Sequence, residues 1–265
     1  MAITERTIKT ARCPTAWLEA GAGWPVILLH GFPFNADMWR PQLENVPDGW
    51  RLIVPDLRGF GQTPLPPGRV TIDDYAADVC ALMDCLQIDD AVIGGLSMGG
   101  YVTFAMYRQA PTRFTGMVLA DTRSAPDSPQ AREGRVALRK VVAEYGAAGV
   151  ASQMLPKMFS SAVDAPLVDR ARDLIESASP AALDAAIGAL MDRPDSTPDL
   201  ARISCATLVV AGEEDAIVPV AEAEAMQRVL RRSTLTIIPG AGHVSNLERP
   251  DDFSRALGDF LLSAL

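Results

Sequence analysis

The chain is predicted to be an α/β protein, with a mostly parallel central sheet flanked by helices and a helical cap inserted between core strands. Three observations predict this. Continuous apolar runs recur along the sequence, as strands buried on both faces require. Segments with three- and four-residue apolar spacing fall between them, the alternation expected of strands linked by crossover helices. From Thr122 to Ile203 the strand-like runs stop and helix-start signals replace them.

Taken in order, two weakly alternating segments before Gly21 are expected to form an antiparallel hairpin at one sheet edge. Pro25-Val-Ile-Leu-Leu-His30 is the first buried run, and Arg51–Pro55, Ala91–Leu96, Phe114–Ala120, Ala206–Ala211 and Leu235–Pro239 repeat the pattern. Ile72, Tyr75, Ala76, Val79, Leu82, Met83 and Leu86 form one helical stripe. Thr71 is its expected N-cap, with Asp73 and Asp74 in the first turn where the helix dipole favours negative charge. A last helix carries Phe253, Ala256, Leu257, Phe260 and Leu261, with Pro250 in its first turn. In the middle stretch, Ser128-Pro129, Asp164-Ala-Pro166 and Ser179-Pro180 each set a capping residue beside a proline. The helices they open carry Val141, Val142 and Tyr145, then Leu167, Val168, Ala171, Leu174 and Ile175. A segment of about eighty residues is too long for a loop. The expected division is a core of residues 1–121 and 204–265 and a cap of residues 122–203.

Composition bounds the function. The 265 residues are 48% hydrophobic and 22% charged, ordinary values for a globular chain. A net charge of −9 argues against a nucleic-acid partner. Arg132, Arg135, Arg139 and Lys140 fall at helical spacing and read as a solvated helix face. The four cysteines, Cys13, Cys80, Cys85 and Cys205, show no zinc-type pairing and read as reduced, mostly buried thiols. The first residues are polar and charged, unlike a signal peptide, and no apolar run is long enough to span a bilayer. A cytoplasmic protein with no membrane partner is expected.

The chemistry centres on Gly95-Leu96-Ser97-Met98-Gly99. A strand leads into this G-x-S-x-G and a helix, from Met98 to about Gln109, leads out. A sharp strand-to-helix turn exposes a serine hydroxyl, and the small neighbours Gly94, Gly95, Gly99 and Gly100 give it room. A serine needs a base to take its proton. Of the two histidines, His30 ends a core strand and is expected to shape a turn. His243, in Pro239-Gly-Ala-Gly-His243, follows the last strand, where open parallel sheets place their chemistry. Asp215, after Ala206–Ala211, is the expected carboxylate partner. Asp121 is its rival, and Glu213 and Glu214 read as solvated. An oxyanion needs preorganised N–H donors. Met98, after the serine, supplies one; Phe32, in a loop where Pro33 has no N–H, supplies the other.

These residues resemble the α/β-hydrolase superfamily over nearly the whole chain. His30-Gly31-Phe32 looks like that family's oxyanion segment, and Asp56-Leu-Arg58-Gly59-Phe-Gly61-Gln-Thr63 looks like its turn after the fourth strand. Ser97, Asp215 and His243 fall on its nucleophile, acid and base positions. The phrasing His-Gly-Phe-Pro-Phe and Leu-Ser-Met-Gly-Gly is similar to capped esterases and lactonases, notably 3-oxoadipate enol-lactonase-like hydrolases. The resemblance implies hydrolysis of a small ester or lactone through an acyl-serine, without metal or organic cofactor. Cofactor-free haloperoxidases (perhydrolases) and carbon–carbon bond hydrolases share these motifs and stay open, as does a ligand-binding protein that kept the fold. Dehalogenases and epoxide hydrolases of this fold use an aspartate where this chain has Ser97. Phe34 and Trp39, with Phe32 and Met98, and Met154, Met158 and Phe159 of the cap are the expected pocket lining.

Overall fold

In the computed structural model, which describes residues 2–264, the expected hairpin is β1 (Thr4–Lys9) and β2 (Pro14–Gly21), paired antiparallel. The apolar runs become β3 (Trp24–Leu29), β4 (Trp50–Pro55), β5 (Ala91–Leu96), β6 (Phe114–Ala120), β7 (Ala206–Gly212) and β8 (Ser233–Ile238). All eight join one sheet in the order β1-β2-β4-β3-β5-β6-β7-β8. The six strands from β3 on run parallel to their neighbours, and β2 meets β4 antiparallel. β8 begins two residues before its expected start because it is the sheet edge. Its outer face meets solvent, so Ser233, Thr234 and Thr236 belong in it and the run need not be uniformly apolar.

Helices flank the sheet. After α1 (Arg40–Glu44), α2 (Ile72–Cys85) starts at the expected residue. Thr71 accepts from the Asp74 N–H while the Asp74 carboxylate accepts from the Thr71 N–H, a complete capping box. α3 (Met98–Gln109) packs on β3, β5 and β6. Three helices then intervene before β7: α4 (Pro129–Met158), α5 (Ala165–Glu176) and α6 (Pro180–Met191). α7 (Val220–Val229), α8 (Ser245–Glu248) and α9 (Pro250–Ala264) complete the chain.

The helical insertion departs from expectation in three places. Ser128 and Ser179 cap with their side chains, but Asp164 at the same position makes no cap hydrogen bond. α4 is broken at Gly146, whose φ of +61° lies outside the helical region. The stripe through Val141, Val142 and Tyr145 therefore fails at its end: Val142 is buried, whereas Tyr145 beside the break is 61% exposed. The basic run is exposed at Arg132, Arg139 and Lys140, as expected of a solvated face, and departs from it at the half-buried Arg135. Arg139 bonds Asp184 of α6 through both carboxylate oxygens, and Arg135 reaches the buried Asp127. Arg193, buried over the Tyr101 ring of α3, pairs with the same Asp127 at 2.6 Å. Although burial opposes it, Arg135 and Arg193 hold the Asp127 carboxyl below the usual carboxylate range.

All four cysteines are free thiols, but only Cys13 is buried and Cys85 is exposed. Among the described residues no single helix is long and apolar enough to cross a membrane.

Candidate active site

The sheet order sets β3 beside β5, so the loops leaving Leu29 and Leu96 emerge side by side. Ser97 sits in the second of these at φ +54°, ψ −111°, a region that L residues avoid without cause. The turn is fixed from several directions. The Ser97 N–H donates to the Ala120 carbonyl at 2.9 Å, and its own carbonyl accepts from the Thr122 hydroxyl at 2.8 Å. Gly99 must be glycine, because a Cβ there would lie 2.2 Å from the Leu29 oxygen.

His243 is 2% exposed in the loop between β8 and α8. Its Nε2 lies 2.9 Å from Ser97 Oγ, and its Nδ1 lies 2.8 Å from Asp215 Oδ2. A carboxylate only accepts, so Nδ1 carries the proton and Nε2 is left to accept from the serine hydroxyl. The other Asp215 oxygen accepts the N–H groups of Ile217 and Val218 at 2.7 and 2.8 Å. These bonds stabilise the charged carboxylate inside the protein, where an unpaired charge would be costly.

The rival Asp121 does not bond the histidine. Its oxygens accept from the Gly212 N–H at 2.7 Å and the Ser245 hydroxyl at 2.5 Å. Burial, then repulsion from Asp215, push its carboxyl up to about 7. It is thus a second buried carboxyl beside the Ser–His–Asp chain, tying the start of the Asp215 loop to the segment after His243. Glu213 and Glu214 are exposed, as expected.

His30 does shape a turn. It is fully buried, donates from Nδ1 to the Gly31 carbonyl at 3.1 Å and accepts the Leu57 N–H at Nε2 at 3.0 Å. Burial lowers its pKa to about 4, so it is neutral near pH 7. Asp56 fixes the same loop from its other end, accepting the Ala36 and Gln62 N–H groups at 2.8 Å each. Burial pushes that carboxyl up to about 6.

The loop so held runs beside the serine: a Cβ on Gly31 would sit 3.5 Å from Ser97 Cβ. Neither the Phe32 N–H in this loop nor the Met98 N–H at the start of α3 donates to another group among the described residues. Both suit a role as donors to a bound oxyanion.

Of the expected lining residues, Phe34 and Met158 are buried, Phe159 is 8% exposed and Met154 is half-buried. The backbone at Met158 and Phe159 meets the histidine loop: the Val244 N–H donates to the Met158 carbonyl at 3.2 Å, and a Cβ on Gly242 would lie 2.6 Å from the Phe159 carbonyl carbon. Trp39 is fully buried, with its ring 5.6 Å from that of Phe253 in α9. Two residues near the site went unread in the sequence, Ser245 and Glu248, both buried in α8. Polar residues two and five positions after a loop histidine give no sequence signal of burial; Val244 and Leu247 flanking them are the only hint. Among the described residues, no group of three or more His, Cys, Asp or Glu is placed to hold a metal ion.

A serine on a strand-to-helix turn, joined through a buried histidine to a buried carboxylate on neighbouring loops of a parallel sheet, defines the class of α/β hydrolases. The chain belongs to the alpha/beta hydrolase family, whose model matches residues 26–256. It is 32% identical over 226 residues to 3-oxoadipate enol-lactonase 2 of Acinetobacter baylyi, covering 84% of this chain and 83% of that protein. A thermophilic esterase from Thermogutta terrifontis has a similar structure, with a TM-score of 0.94 and 39% identity over 98% of this chain and 99% of that one. The enol-lactonase from Burkholderia xenovorans LB400 shares the fold, with a TM-score of 0.89 at 24% identity over 97% and 100% of the two chains.

Proposed function

We propose that the protein is a serine hydrolase that cleaves carboxylic esters or lactones through an acyl-enzyme on Ser97. The observation that carries this reading is the unbroken chain from Ser97 Oγ through His243 to Asp215, with contacts of 2.9 and 2.8 Å. The esterase and enol-lactonase relatives agree with it.

His243 Nε2 takes the Ser97 proton as Oγ attacks the carbonyl carbon. The Phe32 and Met98 N–H groups hold the oxyanion, and the protonated histidine then gives its proton to the leaving alkoxide. Water enters, loses a proton to the same nitrogen and attacks the acyl-serine, releasing the acid and restoring Ser97. Asp215 holds the ring in the required tautomer and stabilises the imidazolium. Phe34, Met154, Met158 and Phe159 line the acyl site, with residues 122–203 serving as a cap over it. Their apolar character suits a small to medium acyl group or a lactone ring.

The test is steady-state release of p-nitrophenol from p-nitrophenyl acetate. Wild-type turnover should fall by a factor on the order of 10⁴ or more in Ser97→Ala, the usual effect of removing such a nucleophile. Equal rates in the two proteins would remove Ser97 from the chemistry.

A further inference from the structure

Glu248 ends α8, five residues beyond His243, and is only 7% exposed. Its carboxylate accepts from three neutral donors. Both oxygens lie 3.1 Å from the Ser160 N–H, Oε1 also takes the Ser160 hydroxyl, and Oε2 takes the Gly242 N–H at 2.7 Å. A buried carboxylate held by neutral groups alone is a costly way to fasten two segments, since an apolar pair fills space without that penalty.

The two segments give the arrangement its meaning. Gly242 immediately precedes His243, while Ser160 follows Met158 and Phe159 at the end of α4. The Val244 N–H, on the other side of His243, donates to the Met158 carbonyl at 3.2 Å. A Cβ on Gly242 would sit 2.6 Å from the Phe159 carbonyl carbon, so the two backbones are in direct contact. The histidine's peptide is therefore gripped on both sides by the stretch Met158–Ser160, with Glu248 bridging them.

We propose that Glu248 is a positioning residue: it sets the His243 ring for Ser97 and locks the Met158–Phe159 wall to the base, so that chemistry and acyl recognition share one anchor. This rests on the serine-hydrolase reading above, because only there is the ring's placement catalytic. A small misplacement of a reacting group can cost roughly a hundredfold in rate.

The test compares wild type, Glu248→Ala, Glu248→Gln and Ser160→Ala by two readouts. One is kcat and KM on p-nitrophenyl acetate. The other, free of substrate, is the ring-nitrogen NMR spectrum of ¹⁵N-histidine-labelled protein; the chain has only two histidines. Glu248→Ala is expected to lower kcat by about tenfold to a hundredfold, with a smaller change in KM, and to give His243 a mixture of tautomers. Glu248→Gln should recover most of both, since its oxygen can keep the N–H donors while its amide gives to the Ser160 hydroxyl. Ser160→Ala should fall between. A folded Glu248→Ala protein with lower Tm but unchanged kcat and ring spectrum would overturn the proposal, leaving Glu248 a fastening of the fold. Should Glu248→Ala fail to fold, Ser160→Ala decides by the same two readouts. Should the wild type itself fail to turn over the ester, the serine-hydrolase reading fails separately, and the ring spectrum alone still decides whether Glu248 positions His243.

Discussion

Ser97, His243 and Asp215 hold one another within hydrogen-bond distance, and a second carboxyl, Asp121, stands behind them at φ +45°. Burial, then repulsion from Asp215, push the Asp121 carboxyl up to about 7 although the Gly212 and Ser245 donors oppose the shift, while an unfolded aspartate ionises near 4. In that window the folded state binds the extra proton. Its contribution is fully present below about pH 4 and is lost as pH rises through about 7. Asp121→Asn can keep the Gly212 and Ser245 contacts without titrating. Its melting temperature should therefore fall less than the wild type's between pH 4 and 7, as scanning calorimetry would show. Asp56 and His30 titrate alike in both proteins and cancel. At this scale the sequence carried much of the site. Ser97, His243 and Asp215 each follow a readable strand, so their loops were known to meet at one sheet end. Choosing Asp215 over Asp121 was harder, since both follow strands; which carboxylate reaches His243 Nδ1 decides it, and that depends on tertiary geometry. Glu248 was illegible because its donors lie 88 residues away at Ser160 and, at Gly242, in a bend that only the folded loop makes.

Among the elements, those with local punctuation were legible and those shaped by neighbours were not. Thr71 and Asp74 stand at the spacing of a capping box, and α2 starts there. Thr71→Ala should destabilise the protein by about 1 kcal/mol in urea unfolding, the usual worth of such a cap, without changing kcat. The three proline-marked helix starts of the insertion were likewise readable. The break at Gly146 was not, since an isolated glycine in a helical pattern is usually tolerated. β8 was read two residues short because an edge strand need not be apolar throughout.

For the whole molecule, strand order and the seating of the insertion lie beyond any local pattern. Parallel apolar runs announce a sheet but not that β3 lies between β4 and β5, which is what brings Phe32 and Ser97 together. Asp127 ties the two ends of the insertion together by pairing with Arg135 and Arg193, and Arg193 in turn lies over the Tyr101 ring of the core. Removing one partner of a buried pair leaves the other charge uncompensated. Asp127→Ala should cost roughly 3–5 kcal/mol, measured by urea unfolding. The central claim is chemical, however, and intact-mass analysis of acid-quenched reactions with p-nitrophenyl acetate tests it most directly. An acetylated species is expected in the wild type, mapped to the peptide containing Ser97 and absent from Ser97→Ala. Turnover with no acyl group on Ser97, or with the group on another residue, would contradict it.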